Sequence, residues 1–134
     1  MAVLKNRAKM STSTTGTGTI TLGSAEDGYQ TFADAGVADA DVVRYVIEDG
    51  SNFEIGTGTY TSSGTTLTRT VSESSNSDAA INLSGSATVF IGATAEDIPA
   101  LYAENYDGTS TKPSATGTNA VAIGKMQLRL IQKV

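Results

Sequence analysis

The chain has 134 residues, a net charge of −5, and no Cys, His or Trp. That inventory excludes a disulfide framework, a zinc site built on the usual nitrogen and sulfur ligands, and hydrolysis through an imidazole base. No apolar run approaches the roughly 20 residues needed to cross a bilayer, and the opening MAVLKNRAKM lacks the apolar core of a signal peptide. Charge is unevenly placed. The first ten residues hold Lys5, Arg7 and Lys9 without an acid, and the last ten hold Lys125, Arg129 and Lys133 without an acid. All 14 carboxylates lie between, against only Arg44, Arg69 and Lys112. An acidic body repels phosphate backbones, which argues against a nucleic-acid partner. Basic ends suit an acidic neighbour, another copy of the chain included, although terminal cations also serve solubility alone.

In chain order, residues 1–15 read as a basic N-terminal arm. At period two, Lys5, Arg7 and Lys9 share one face and Leu4, Ala8 and Met10 the other, so an extended segment is expected, with a helix as the competing reading. TGTGTITL at 15–22 is a threonine-rich strand ended by Gly23. Residues 25–41 read as a loop with a helical turn around Phe32, anchored by Tyr29, Phe32 and Val37. VVRYVIEDG at 42–50 is the clearest strand, with Val43, Tyr45 and Ile47 on one face, Val42, Arg44, Val46 and Glu48 on the other, and Asp49-Gly50 as its turn. NFEIGTGTYT at 52–61 follows, with Phe53 and Ile55 expected inward. Ser62-Ser63-Gly64 turns the chain into TTLTRTVS at 65–72, where Leu67 and Val71 share a face, completing a three-stranded meander. After the polar loop 72–78, residues 80–93 read as a hairpin about Ser84-Gly85, with Ile81, Leu83, Val89 and Ile91 as core.

Short strands with frequent turns make the fold class all-β: a small antiparallel sandwich or barrel over residues 16–98, with an extended N-terminal arm and a strand-bearing C-terminal tail. Residues 99–119 form a polar linker. The remainder, 120–134, closes on KMQLRLIQKV, where Met126, Leu128, Leu130 and Val134 alternate with Lys125, Gln127, Arg129 and Lys133, with Ile131 the one misfit. One face of that strand needs a partner, and a second subunit is favoured over the chain's own body because so long a polar connector is unusual inside a compact domain.

Catalytic chemistry has little to stand on. The runs TGTGTIT and IGTGTYT lack the Lys-Ser/Thr ending of a phosphate loop and read as two similar edge strands. Carboxylates pair at Glu26-Asp27, Asp39/Asp41, Glu48-Asp49 and Glu96-Asp97, for which a solvated acidic surface outweighs a glycosidase dyad; Asp39–Asp41 is a minor calcium candidate. Tyr45 reads as core, whereas Tyr102 and Tyr106 in the linker are interface candidates.

Four stretches, GTGTITL at 16–22, GYQTF at 28–32, EDGSNFEIGTGTYT at 48–61 and SGTTLTRTVSESSNS at 63–77, follow the basic opening. Together they resemble a small β-domain found at the N-terminus of tail-fibre and other virion structural proteins of tailed bacteriophages, over roughly residues 1–98. The resemblance implies a non-enzymatic attachment or adaptor module, tail- or fibre-associated, made in the host cytoplasm and located in the virion. It carries over no catalytic, cofactor-binding or metal-ligating residue. TGTNAVAIG at 116–124 is similar to a head repeat of trimeric adhesins, which favours trimeric assembly. The expected partners are therefore other copies of the chain and other virion proteins, with no nucleic acid and no membrane. The expected contacts are Leu4, Lys5, Arg7, Lys9, Tyr102, Tyr106, Leu128, Arg129, Leu130 and Lys133. A capsid decoration protein and a receptor- or glycan-binding module are the alternatives, and an enzyme is the least favoured class.

Overall fold

In a computed structural model that describes residues 2–97, the protein is all-β. Its strands are β1 (Lys9–Thr12), β2 (Thr15–Gly16), β3 (Ile20–Thr21), β4 (Val42–Asp49), β5 (Asn52–Thr61), β6 (Thr66–Leu67), β7 (Thr70–Ser74), β8 (Leu83–Ser84) and β9 (Ala87–Ile91). A single 3₁₀ turn follows at Ala95–Asp97, and there is no α-helix among the described residues. The main sheet is antiparallel in the order β1-β9-β4-β5-β6-β3, with β7 also on β5, and curls into a half-barrel. β2 and β8 form a separate two-stranded ribbon. The expected linker 99–119 and terminal strand 120–134 lie outside the described residues.

The frame is the β4–β5 hairpin, in register from Val42↔Thr59 to Asp49↔Asn52. A two-residue turn closes it, with Gly50 at φ 63°, a conformation that costs an L side chain and costs glycine nothing. β4 alternates as its sequence requires: Val43, Tyr45 and Ile47 are fully buried, while Val42 and Glu48 face outward. β6 and β7 are one strand of the meander interrupted at Thr68-Arg69, with a bulge opposite Ile55/Gly56. Phe32, Met10, Ile20 and Leu67 fill the interior beside Tyr45. Each such burial contributes about 1.5–3 kcal/mol.

Five expectations need correcting. Residues 2–15 are extended except for a turn at Asn6-Arg7, where Arg7 has φ 59°, but they are not an arm apart from the body. β1 pairs with β9 from Lys9↔Phe90 to Thr12↔Ala87, and its other edge is laced to residues 23–26 through Ser11 N–H to Ser24 C=O (2.8 Å) and Gly23 N–H to Ser11 C=O (2.7 Å). Val3 bridges Val43 as well. The apolar face made by Ala8 and Met10 explains this, because both complete the core at 1% and 2% exposure.

β5 has the opposite phase from that expected. Glu54, Gly56, Gly58 and Tyr60 face inward, and Phe53 and Ile55 face out. Nor is β5 an edge strand, being paired on both sides. Residues 80–93 do not close on themselves as a hairpin: β8 pairs with β2, and β9 inserts between β1 and β4. Gly85 at φ 96° is the pivot where the two strands part, although Ile81, Leu83, Val89 and Ile91 are all buried as expected. Finally, the loop 25–41 is anchored by Phe32 and Val37 but not by Tyr29, which is 38% exposed beneath the Arg7 guanidinium.

Candidate functional site

Three polar or apolar constellations stand out among the described residues. The first lies inside the half-barrel. β5 turns Glu54 into the core, where it is fully buried, and β6–β7 brings Arg69 to meet it. Arg69 Nε donates to Glu54 Oε1 at 2.8 Å, and a second guanidinium nitrogen bonds Oε2. The Tyr45 hydroxyl donates to Oε1 at 2.8 Å and the Ile81 N–H to Oε2 at 2.8 Å. Arg69 also reaches the carbonyls of Ile81 (2.9 Å) and Gly16 (3.3 Å), so one cation ties β2 and the segment before β8 to the main sheet.

Burial alone would push the Glu54 carboxyl upward. Arg69, the Ile81 N–H and the Tyr45 hydroxyl outweigh it and keep the group below its ordinary range. Burial, and then the Glu54 carboxylate, push the Tyr45 phenol strongly up. This sealed carboxylate is structural: both oxygens are engaged, and no substrate can reach them.

The second constellation is at the end of the described chain. Arg44, on the outer side of β4, grips Asp97 through Nε (3.1 Å to Oδ2) and a terminal nitrogen (3.1 Å to Oδ1). The Asp97 carboxyl also accepts the Thr94 N–H at 3.0 Å. Arg44 first, then this N–H, lower its pKa. Beside it, Ala2, Leu4, Arg44, Glu96 and Asp97 line an open depression of about 350 Å³.

The third is the outer face of the sheet. The registers Lys9↔Phe90, Phe90↔Val46, Val46↔Ile55 and Ile55↔Glu73 place five residues in one row across β1, β9, β4, β5 and β7. The middle three are apolar and only half-buried. Phe53 and Val42, on the same outward faces, are 38% and 42% exposed. A row of this kind has no core to serve and is available to a partner.

The expected contact residues scatter relative to these features. Leu4 is 46% exposed and lines the depression. Lys9 bonds Glu48 at 3.1 Å and lies 5.2 Å above the Phe90 ring, at one end of the apolar row. Arg7 stacks 4.1 Å over Tyr29 and donates to the Gly28 carbonyl, and Lys5 lies near Gly36. The Arg7 and Lys9 cations are thus engaged within the body. Tyr102, Tyr106, Leu128, Arg129, Leu130 and Lys133 lie outside the described residues.

Neither Glu48/Asp49 nor Asp39/Asp41 forms a dyad. Glu48 and Asp49, neighbours on a strand, point to opposite faces, one to Lys9 and the other to the Ser84 N–H and hydroxyl at 2.7 and 2.6 Å. Asp39 accepts the Ser62 N–H (2.8 Å) and hydroxyl, which hold its carboxyl below the usual range, and Asp41 accepts the Ala38 N–H at 2.8 Å. Both fasten loop turns rather than converge on a calcium position. Among the described residues, no group of three or more acids forms a metal site, and no helix is long and apolar enough to cross a membrane.

The sequence reading missed Arg69 and the outer row. The signal for Arg69 was present: it lies two residues from both Leu67 and Val71, which share a face, so alternation puts a cation on the side where Leu67 is core and calls for a carboxylate partner. No protein-family model matches this chain, and comparison with curated proteins and with solved structures yields no significant match.

Proposed function

We propose that this chain is a structural component of a tailed-bacteriophage particle, tail- or fibre-associated, which acts by binding copies of itself and neighbouring virion proteins rather than by catalysis. The phage setting rests on the resemblance over residues 1–98, a stretch that coincides with the compact unit Met1–Asp97. The observation that carries the binding role is the division between the two sides of the sheet. The buried carboxylate is closed off by Arg69, Tyr45 and Ile81, whereas Phe90, Val46 and Ile55 form an outward apolar row.

Binding through that face fits better than simple pairing at the ends of the sheet, because β1 is already hydrogen-bonded on both sides, β3 at the other end is only two residues long, and β7 carries a bulge and Glu73. The test is antibody labelling of intact particles made from the genome that encodes this chain. Label along the tail or its fibres is the expected result. A chain absent from mature particles, or monomeric and turning over a metabolite, overturns the reading, and label on the head transfers it to capsid decoration.

A further inference from the structure

We infer that the outer row Phe90–Val46–Ile55 is the seat for the C-terminal segment Lys125–Val134 of a second copy of the chain. This inference rests on the assembly role proposed above and names the partner. Three observations converge on it.

The first is chemical match. The row is apolar, and the charges around it are Lys9 and Arg44 against Glu48, Glu73, Glu96 and Asp97. Both cations are already paired, Lys9 with Glu48 and Arg44 with Asp97, so the surroundings carry a surplus of negative charge. The segment 125–134 supplies the complement: Met126, Leu128 and Leu130 alternate with Lys125, Gln127 and Arg129, and no acid lies among them. In an extended chain the apolar set lies on one side at period two. Long basic side chains at its flanks can bend toward rim carboxylates while their stems cover apolar surface.

The second is where the described chain ends. Arg44 belongs to the outer face of β4, two residues from Val46, and it holds Asp97, the last described residue, on that side of the strand.

The third is length. Residues 98–124 put 27 positions between that point and Lys125. A polar connector of that size has a typical reach of about 26–31 Å. Connections inside compact domains are usually about 4–6 residues. The excess reach suits a neighbouring copy.

Because the chain has no cysteine, engineered thiols report this contact cleanly. Full-length Ile55→Cys and full-length Leu128→Cys are mixed and mildly oxidised, and the mixed disulfide is compared with that formed when Ser63→Cys, in the exposed loop after β5, replaces Ile55→Cys. Phe53→Cys, exposed on the same face, serves as a second probe should Ile55→Cys fold poorly. Several-fold more mixed disulfide than the control is expected, reduced by Glu73→Lys at low salt and restored when Arg129→Glu is present on the tail. A yield no greater than the control, or a bond formed only within single chains of an Ile55→Cys/Leu128→Cys double variant, overturns the inference. Particle labelling that persists under either overturning result leaves the assembly role standing, so the two failures are separable.

Discussion

β4 and β5 lie side by side through eight register pairs, yet they obey different rules. On β4 the apolar residues face inward and the sequence alternates accordingly. On β5 the inward positions are a carboxylate, two glycines and Tyr60, while Phe53 and Ile55 face solvent. The difference comes from what each strand meets across the interior. β4 faces open core volume that side chains fill. β5 is crowded by β6–β7: a Cβ built on Gly58 would overlap the Thr68 carbonyl and lie 2.9 Å from Leu67, and one on Gly56 would lie 2.7 Å from the Tyr45 hydroxyl. Where the backbone itself occupies the interior, hydrophobic alternation no longer reports the inside. An apolar outer face is then left for binding.

The comparison can be broken most sharply at Glu54. Glu54→Gln leaves the buried Arg69 without its counter-charge, and a loss of about 3–5 kcal/mol is expected from urea or thermal unfolding. The folded-state pKa of Glu54 is depressed, so its contribution is fully present above the unfolded value near 4.3 and is lost as pH falls through the lower folded value. The parent protein should therefore lose stability on acidification below about pH 4, and Glu54→Gln should flatten that part of the profile. A mutant as stable as the parent would mean that the pair is not closed as described.

Gly58→Ala comes next. It forces backbone rather than a flexible side chain to move, and about 1–3 kcal/mol of destabilisation is expected, by the same unfolding measurement. Removing the Asp49 bonds to Ser84 by Asp49→Ala should cost about 1–3 kcal/mol, since it leaves the Ser84 N–H unpaired at the junction of the ribbon and the sheet. At the small end, Phe53→Ser should change stability by no more than about 0.5 kcal/mol, unlike a core aromatic such as Phe32, whose replacement by Ala should cost about 3–5 kcal/mol. A large effect at Phe53 would restore the inward assignment for β5.

What the sequence disclosed followed the strength of its periodicity. β4, the meander, the Gly50 turn and the core identities of Ile81, Leu83, Val89 and Ile91 were legible because local pattern and tertiary environment agree there. The phase of β5 was not, because Phe53 and Ile55 imitate a core face and only contact with β6–β7 shows that the interior is too narrow for them. The place of β1 was half legible: its two faces were evident at period two, but its partner lies almost eighty residues away and no local signal names it. The outer row was equally hidden, since it exists only when residues from five separated strands are brought into register. Local alternation gave a face only to Lys9, opposite Ala8 and Met10, and to Val46, between Tyr45 and Ile47.

Pairing between β1 and β9 also bears on how the molecule is made. β1 finds residues 23–26 close by in sequence, but its ladder partner β9 lies far along the chain, so this side of the sheet is completed only when β9 docks. Contacts of such long sequence separation slow folding to the millisecond-to-second range typical of β-rich domains. Until β9 docks, the facing edges of β1 and β4 stay unpaired, and the interval in which copies can mispair is set by how fast that distant pairing forms.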